Sequence, residues 1–247
     1  MRLDKFLALS GERSRTEAAR AVRGGLVRVN GCVVRDPAMK LAASDEVTLS
    51  GASVADSSSQ YYLLHKPAGV LTAARDSRAA TVMDLLPEAL KRRNVLPVGR
   101  LDKDTTGLLL LTNDGALAHR LLSPKSHVWK QYLATVQGAL NGEDACAFAA
   151  GMTLSDFVTK PARLKILWAR EDESAALVEL REGKFHQVKR MFSARGHEVL
   201  KLHRTAFGPL TLPEELAAGE YRALTAEEIE ALRRSTANKA DADTEEG

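Results

Sequence analysis

Long apolar runs are missing from this chain of 247 residues, and cysteine is rare. Since no stretch approaches the roughly 18 apolar residues of a membrane-spanning helix, we expect no membrane partner. The start of the chain also lacks the apolar segment of a secretory signal. The two cysteines, Cys32 and Cys146, lie far apart and outside any CxxC pattern, which disfavours a disulfide framework and a zinc site. A reducing cytoplasm is the expected location.

Motifs of nucleotide, metalloprotease and esterase chemistry are missing too. The sequence has no GxxxxGK[ST] loop, no HExxH and no GxSxG. Its six histidines show no ligand spacing with cysteines or acids. His197 and His203 could be metal ligands, although phosphate contacts or packing explain them better. We therefore expect neither a metal nor a cofactor.

Basic residues outnumber acidic ones in most of the chain, and the small net charge of +3 conceals this. Residues 213–247 carry a net charge of −6, whereas residues 1–212 carry +9. Residues 1–40 alone hold nine Lys or Arg against four Asp or Glu. A basic body of this kind fits a polyanionic partner such as nucleic acid, although solvated helix faces would also produce it.

Composition divides the chain into four segments. Residues 51–59 (GASVADSSS) are small, polar and non-periodic, which predicts a linker. It would separate a small domain at residues 1–50 from a second domain at residues 60–234. Residues 235–247 lack large apolar side chains and are predicted to form a disordered acidic tail.

Clear helix and turn signals lie in the small domain. Ser14 and Glu17 have the spacing of a capping box, which predicts a helix that ends near Arg23. The pair Asn30-Gly31 predicts a hairpin, and a last strand is expected at 46–49. A domain this small gains little from burying its cations, so we expect the following to meet phosphates: Arg2, Lys5, Arg13, Arg15, Arg20 and Arg23.

The second domain alternates strand-like and helix-like segments. Strands are predicted at 61–64, 108–111, 131–136, 162–167, 176–180 and 199–202. Helices are predicted at 81–90, 115–122, 141–150, 184–195 and 225–234. This order predicts an α+β fold with a mixed, largely antiparallel sheet, beside the small α/β N-terminal domain.

A polar loop before one of these strands combines a basic residue with two carboxylates. Arg100, Asp102 and Asp104 precede the apolar run 108–111, which must be a buried strand. The loop is therefore anchored at the edge of the core, where active-site loops tend to lie. The alternative is a polar turn that only opens the strand.

Two shorter motifs accompany this loop. Lys66 stands in a turn that Pro67 stiffens, which places a cation at the end of a strand. Tyr132 follows a cation at a strand start, where it could equally be an ordinary half-buried strand residue.

The densest basic stretch of the chain spans residues 182–204. Such a stretch can neutralise phosphates, and a solvated helix face is the alternative. On its predicted helix, Phe185, Val188 and Phe192 should face the core. Four basic side chains should then lie on or near the other side: Lys184, His186, Lys189 and Arg190.

The small domain resembles an RNA-binding domain first described in a small-subunit ribosomal protein. The matching segments are RLDKFLA at 2–8, SRTEAARAVRGGLVRVNG at 14–31 and DEVTL at 45–49. The resemblance implies RNA binding through the helix pair and the loop that follows it.

The second domain resembles the pseudouridine synthases of the ribosomal small-subunit type, the RsuA family. The matching motifs are HKPAGV at 65–70, GRLDKDTTGLLLLTNDG at 99–115, KQYLATV at 130–136 and EGKFHQVKRMF at 182–192. The histidine of the last motif favours the small-subunit enzymes over their large-subunit relatives. The resemblance covers residues 1 to about 234. It implies a monomeric enzyme that converts one uridine of small-subunit ribosomal RNA, within an assembling particle, to pseudouridine.

The resemblance also implies roles for single residues. Asp102 would act on the ribose as a nucleophile or by withdrawing a proton, and Lys189 would pair with it and keep it ionised. Tyr132 would stack on the target base and help to remove its proton. Asp104 is expected to stabilise the loop through turn hydrogen bonds. Five residues are expected to bind substrate, with Arg100 propping the gap left by the flipped base and Leu202 walling the pocket: Arg100, Lys66, Leu202, His186 and Arg190.

Three alternatives stay open. The first is the same reaction on large-subunit RNA. The second is a non-catalytic ribosome-assembly factor that binds through residues 1–50, against which the intact Asp102, Tyr132 and Lys189 argue. The third is a glycoside hydrolase that uses Asp102 and Asp104, but two carboxylates so close in one turn could not readily flank a sugar from opposite faces.

Overall fold

The computed structural model describes residues 1–10, 14–42, 45–54, 59–123 and 126–237. The chain divides into two compact units. The first comprises residues 1–60 with 86–96 and 112–114, and the second comprises 61–85, 97–111 and everything from 115 onward. Within the described ranges, no helix is both long enough and apolar enough to cross a membrane.

The first unit packs two helices against a small sheet. The helices are α1 (Leu3–Leu9) and α2 (Arg15–Arg23), and the strands are β1 (Val27–Val29), β2 (Cys32–Val33), β3 (Val47–Leu49) and β4 (Ala52–Val54). The strand order is β2-β1-β3-β4, with antiparallel pairing throughout. Phe6 and Val22 from the helices meet Val27 and Leu49 from the sheet in a single apolar core.

Most secondary-structure predictions for the first unit are confirmed, and one is wrong. The hydroxyl of Ser14 accepts from the backbone N–H of Glu17, whose carboxylate accepts from the backbone N–H of Ser14, so the capping box is present. Asn30 and Gly31 both have positive φ and form the predicted hairpin turn between β1 and β2. The linker prediction is wrong for residues 52–54, because strand β4 pairs there with β3. Its residues 55–58 lie outside the described part of the chain.

The main sheet of the fold belongs largely to the second unit. Its strands are β5 (Tyr61–Lys66), β6 (Leu96–Pro97), β7 (Thr106–Thr112), β8 (Lys130–Gln137), β9 (Arg163–Ala169), β10 (Glu173–Leu180), β11 (Val199–Phe207), β12 (Leu210–Thr211) and β13 (Tyr221–Ala223). The order among the described strands is β13-β5-β7-β11-β8-β10-β9, with β12 on β11 and β6 on β7. Because β7 and β11 run parallel while the pairs of β8 with β10 and β11 are antiparallel, the sheet is mixed as predicted.

The remaining helices lie close to their predicted places in the sequence. They are a 3₁₀ turn at Val82–Leu85, α3 (Glu88–Arg92), α4 (Gly115–Leu122), α5 (Gly142–Ala150), α6 (Gln187–Ser193) and α7 (Ala226–Ala237). The helix predicted at 81–90 is therefore two short pieces. Helix α7 extends through 237, so the tail prediction is wrong for 235–237, and residues 238–247 lie outside the described ranges.

Strand β7 runs through the core of the second unit. Leu108, Leu109, Leu110 and Leu111 are all fully buried, as the apolar run predicts. Just before them, Gly107 has a φ of +107°, and a Cβ there would lie 2.3 Å from the carbonyl oxygen of Arg204 on β11. Only glycine allows this close pairing, which fixes the end of the polar loop against the sheet.

Candidate active site

The loop at 101–105 is held in place by a buried cation. Lys66 is fully buried at the end of β5. Its ammonium donates to the backbone carbonyls of Pro67, Lys103 and Thr105 at 3.0, 3.2 and 2.8 Å. Burial lowers the pKa of Lys66 to about 8. The expectation that Lys66 binds substrate is therefore wrong, because this side chain faces the inside of the loop.

Thr72 fixes the same loop at its other end. Its hydroxyl donates to the carbonyl of Leu101 at 2.7 Å and accepts from the backbone N–H of Leu101 at 3.2 Å. The backbone N–H of Gly69 donates to the carbonyl of Lys103 at 2.8 Å. Residues 66–72 thus form a rigid support for Asp102. The sequence motif at 65–70 covers most of this support, but no sequence signal identifies Thr72.

Asp102 faces the start of helix α6. Its side chain is 27% exposed, so it can be reached from solvent. One carboxylate oxygen lies 3.4 Å from Nε2 of His186, and the other lies 3.6 Å from Nζ of Lys189. The structure therefore brings Asp102 together with His186 and Lys189, which lie far from it in the sequence.

Lys189 bonds more closely to Asp104 than to Asp102. Its ammonium lies 2.7 Å from both carboxylate oxygens of Asp104. This hydrogen bond lowers the pKa of Asp104 below its ordinary value, outweighing the effect of burial. Asp104 was expected to make turn hydrogen bonds, but its carboxylate instead holds Lys189. The lysine consequently stands between two carboxylates.

The start of α6 differs from the prediction. The helix begins at Gln187 rather than at 184, and His186 before it adopts a left-handed conformation with a φ of 49°. Because Phe185 precedes the helix, it is 74% exposed, and its predicted place in the core is wrong. Val188 and Phe192 are buried as expected. The rings of Phe185 and His186 stack with centroids 3.9 Å apart.

Tyr132 and Leu202 form apolar walls of the pocket in front of Asp102. Tyr132 is on β8 and Leu202 is on β11, and only 8% and 7% of their respective surfaces are exposed. Arg100 is exposed at the pocket rim. The pocket contains six of the predicted site residues: Arg100, Asp102, Tyr132, His186, Lys189 and Leu202.

Arg190 does not line this pocket. Its guanidinium contacts the carboxylate of Asp156 and the hydroxyl of Ser155, and it lies 5.0 Å from the ring centroid of Phe157. Arg190 therefore fastens the segment 155–157, and its expected role in substrate binding is replaced by contacts within the protein.

Other cations of the 182–204 stretch also have internal partners. Arg195 forms an ion pair with Asp144 at 2.9 Å. His203 is hydrogen-bonded through Nδ1 to the hydroxyl of Thr106 at 2.8 Å. Arg204 is buried and donates to the carbonyl of Leu108. Much of this basic stretch is therefore structural, which its composition alone does not reveal.

The predicted RNA-binding cations of the first unit fall into two groups. Arg2 and Arg15 contact the carboxylate of Asp4, whose side chain is only 7% exposed. Lys5, Arg20 and Arg23 are exposed, and among the described residues no carboxylate lies within ion-pair distance of them. Arg13 lies outside the described residues.

Known proteins resemble this chain over nearly its whole length. The uncharacterized RNA pseudouridine synthase YtzG of Bacillus subtilis is 43% identical over 239 residues, which are 96% of this chain and 100% of that protein. The ribosomal small subunit pseudouridine synthase A of Escherichia coli K12 is 41% identical over 232 residues, 93% of this chain and 98% of that protein. A crystal structure of a pseudouridylate synthase covers 94% of this chain at 37% identity, with a TM-score of 0.66.

Two family models divide the chain as its motifs do. The S4 domain model matches residues 1–47, and the RNA pseudouridylate synthase model matches residues 60–194, which include Asp102, Tyr132 and Lys189. The chain therefore belongs to the RNA pseudouridylate synthase family and is a pseudouridine synthase with an N-terminal RNA-binding S4 domain.

Proposed function

We propose that this enzyme converts one uridine of small-subunit ribosomal RNA to pseudouridine, with Asp102 as the catalytic carboxylate. The observation that carries the proposal is the position of Asp102 in a pocket walled by Tyr132 and Leu202, with Lys189 and His186 beside it. The relatives named ribosomal small subunit pseudouridine synthase A support the choice of RNA.

The reaction needs few chemical groups. The bond between ribose C1′ and base N1 breaks, the base turns, and C1′ joins C5 of the same base. N1 gains a proton and C5 loses one, so the reaction is an isomerisation without net oxidation. Asp102 acts at the sugar, either by attacking C1′ or by withdrawing a proton from the ribose. Both routes require a carboxylate beside the ribose in a pocket that excludes most water.

The neighbours of Asp102 have distinct roles in this proposal. Lys189 places its positive charge 3.6 Å from the carboxylate of Asp102. Tyr132 stacks on the base after C1′–N1 cleavage and helps to remove the proton from C5. His186 and Leu202 confine the nucleotide. Because a paired uridine is out of reach, the base flips out of the RNA, and Arg100 at the rim occupies the space that it leaves.

The S4 domain holds the RNA in this proposal. Lys5, Arg20 and Arg23 contact phosphates, because their cations are exposed and lack carboxylate partners among the described residues. Arg2 and Arg15 meet the same backbone while Asp4 orients them. We further propose that the enzyme works as a monomer in the cytoplasm, on RNA of an assembling small subunit.

Pseudouridine mapping tests the proposal. Ribosomal RNA from cells that lack this protein should have lost one pseudouridine in the small subunit, and expression of the wild type, but not of Asp102→Asn, should restore it. Purified enzyme should modify the same uridine in a transcript or in partly assembled particles. Loss of a large-subunit pseudouridine instead would overturn the choice of RNA, and loss of none would contradict the ribosomal substrate.

A further inference from the structure

A second cavity, of about 450 Å³, adjoins the pocket that contains Asp102. Arg100, Tyr132 and Lys184 line both spaces, so the two are adjacent. Asp102 does not line the larger cavity. A nucleotide bound there would therefore be a neighbour of the reacting nucleotide and not the reacting nucleotide itself.

The charges around this cavity are strongly unbalanced. Its lining includes one carboxylate, that of Glu182, and six cationic side chains: Arg100, Lys130, Lys160, Arg181, Lys184 and Arg204. Two of the cations are buried, Lys130 at 8% and Arg204 at 2% exposure. Burying like charges together is costly unless an opposite charge joins them.

The buried cations have incomplete hydrogen bonding. The ammonium of Lys130 donates to the carbonyl of Val128 at 3.2 Å, and Nε of Arg204 donates to the carbonyl of Leu108 at 2.7 Å. Nη2 of Arg204 and Nε of Arg181 are buried and have no hydrogen-bond partner among the described residues. Burial and the charge of Arg204 lower the pKa of Lys130 to about 8. An anion in the cavity would supply the negative charge that this lining is short of.

The cavity is larger than a simple anion needs. Its volume falls in the range of about 300–1,000 Å³ that is typical of pockets for organic ligands. Tyr132, Phe157 and Val158 add apolar surface to the charged lining. Apolar walls suit a nucleobase, and the cations suit a phosphate.

We propose that this cavity binds a second nucleotide of the RNA, one that flanks the target uridine, with its phosphate on Lys130, Arg181 and Arg204. The inference rests on the RNA pseudouridine synthase activity and on Asp102 as the reacting group, but not on which ribosomal RNA is the substrate. A cavity of this kind lets the enzyme recognise the sequence or the phosphate path next to its target.

Inorganic phosphate tests whether the anion site exists. The full-length protein is melted in potassium phosphate and in potassium chloride of equal ionic strength, with tryptophan fluorescence as the readout. Phosphate should raise the Tm of the wild type more than that of Lys130→Met. Lys160→Met serves as a second variant, because Lys160 is exposed and lines only the larger cavity. Lys165→Met, which removes an exposed cation from β9, should keep the full increase. An equal increase in all four proteins would overturn the proposal.

Phosphate replacement in RNA tests whether the anion is a flanking phosphodiester. Single linkages around the modified uridine are replaced by uncharged methylphosphonates, in whichever ribosomal transcript the wild type modifies. One flanking replacement should slow wild-type single turnover by about tenfold or more, since a charge-assisted contact is lost. The same replacement should change the rate of Lys130→Met less than about twofold, and that of Lys160→Met by less than in the wild type if Lys160 at the cavity mouth shares the phosphate.

The outcomes separate this inference from the proposed function. The second-nucleotide site would be overturned if the lysine variants lost sensitivity only to replacement of the target uridine's own phosphate, or to no replacement at all. Modification of a large-subunit transcript would contradict the proposed RNA target. The sensitivity of the wild type and of the variants to each replacement could still be compared on that transcript. Lys165→Met should show the wild-type sensitivity to every replacement.

Discussion

Lys189 lies between two carboxylates of unequal chemistry. Asp104 accepts the short hydrogen bonds, but its side chain is 71% exposed and does not line the pocket. Asp102 is farther from the ammonium, yet it is the carboxylate that faces Tyr132 and Leu202. Asp104 therefore holds Lys189 in place, whereas Asp102 is the carboxylate that lines the pocket.

Exchanging each carboxylate for its amide separates these roles. Asp102→Asn should lower the single-turnover rate by about a thousandfold or more with folding and RNA binding intact, since the shape is kept and the charge is lost. Asp104→Asn should lower it less than about tenfold, because Lys189 remains within reach of Asp102. Turnover of Asp102→Asn within tenfold of the wild type would contradict its assignment.

The ionisation of Asp104 reports the position of Lys189. Lys189→Met removes the hydrogen bond that lowers the pKa of Asp104, so this pKa should rise toward its ordinary value. Lys189→Arg should keep it low, since the positive charge remains. Carboxyl ¹³C NMR titrations of the three proteins measure the effect. An unchanged Asp104 titration in Lys189→Met would show that the ion pair does not form in solution.

Lys66 illustrates a buried cation with a structural task. Lys66→Met leaves the carbonyls of Lys103 and Thr105 without their donor, so the loop that carries Asp102 should lose order and the catalytic rate should fall. RNA affinity should not change, whereas loss of a substrate contact would weaken it. Single-turnover rates and RNA dissociation constants, measured separately, decide between the two.

Stability against pH gives a second readout for Lys66. Its pKa in the folded protein is about 8, below the ordinary 10.5, so the unfolded chain binds the proton more tightly. Between these two values the wild type should therefore gain stability relative to Lys66→Met as the pH rises. Below pH 8 the difference should level off. Urea denaturation monitored by tryptophan fluorescence across this range measures it.

At the scale of the element, the sequence predicts best where one local signal decides the structure. The capping box at Ser14 and the leucine run at 108–111 act through neighbouring residues, and both are confirmed. The first residue of α6 was missed, because the left-handed His186 depends on its surroundings in the folded chain. Strand β4 was missed because its composition resembles a linker, although pairing with β3 orders it.

The long-range contacts of the site cannot be predicted from such local signals. The contact of Lys189 with Asp104 and those of Lys66 with the loop join residues that are distant in sequence. Composition reveals that these cations exist, but not whether each faces RNA, a carboxylate or a backbone carbonyl. That choice depends on the packing of β5, β7 and α6.

The parallel pairing of β7 with β11 should require glycine at position 107. Gly107→Ala combines a positive φ with a Cβ that meets the backbone of Arg204, so we expect a loss of about 3 kcal/mol or more. Gly142→Ala, in α5 with open space around it, should instead gain up to about 1 kcal/mol. Both tryptophans, Trp129 and Trp168, belong to the second unit, so their fluorescence during urea denaturation reports on this unit.

At the scale of the whole molecule, the cations fall into three groups. Buried cations such as Lys66 fix the active-site loop, and Arg195 joins α5 through Asp144. Others line the cavity next to Tyr132. Lys5, Arg20 and Arg23 of the S4 domain are exposed and have no ion-pair partner among the described residues. Only part of the basic excess of residues 1–212 is therefore free to bind a long polyanion.

The salt dependence of RNA binding should identify that part. Each phosphate contact on a single strand contributes about 0.7 to the slope of log affinity against log salt concentration. Replacing Lys5, Arg20 and Arg23 by Gln in the full-length chain should therefore weaken RNA binding and flatten the slope by about 2. Replacing three exposed cations of the second unit, Lys165, Arg170 and Arg234, should leave the slope close to that of the wild type. Equal flattening in both triple variants would show that total charge, rather than the S4 domain, governs binding. An unchanged slope in the first variant would show that its three cations do not touch the RNA.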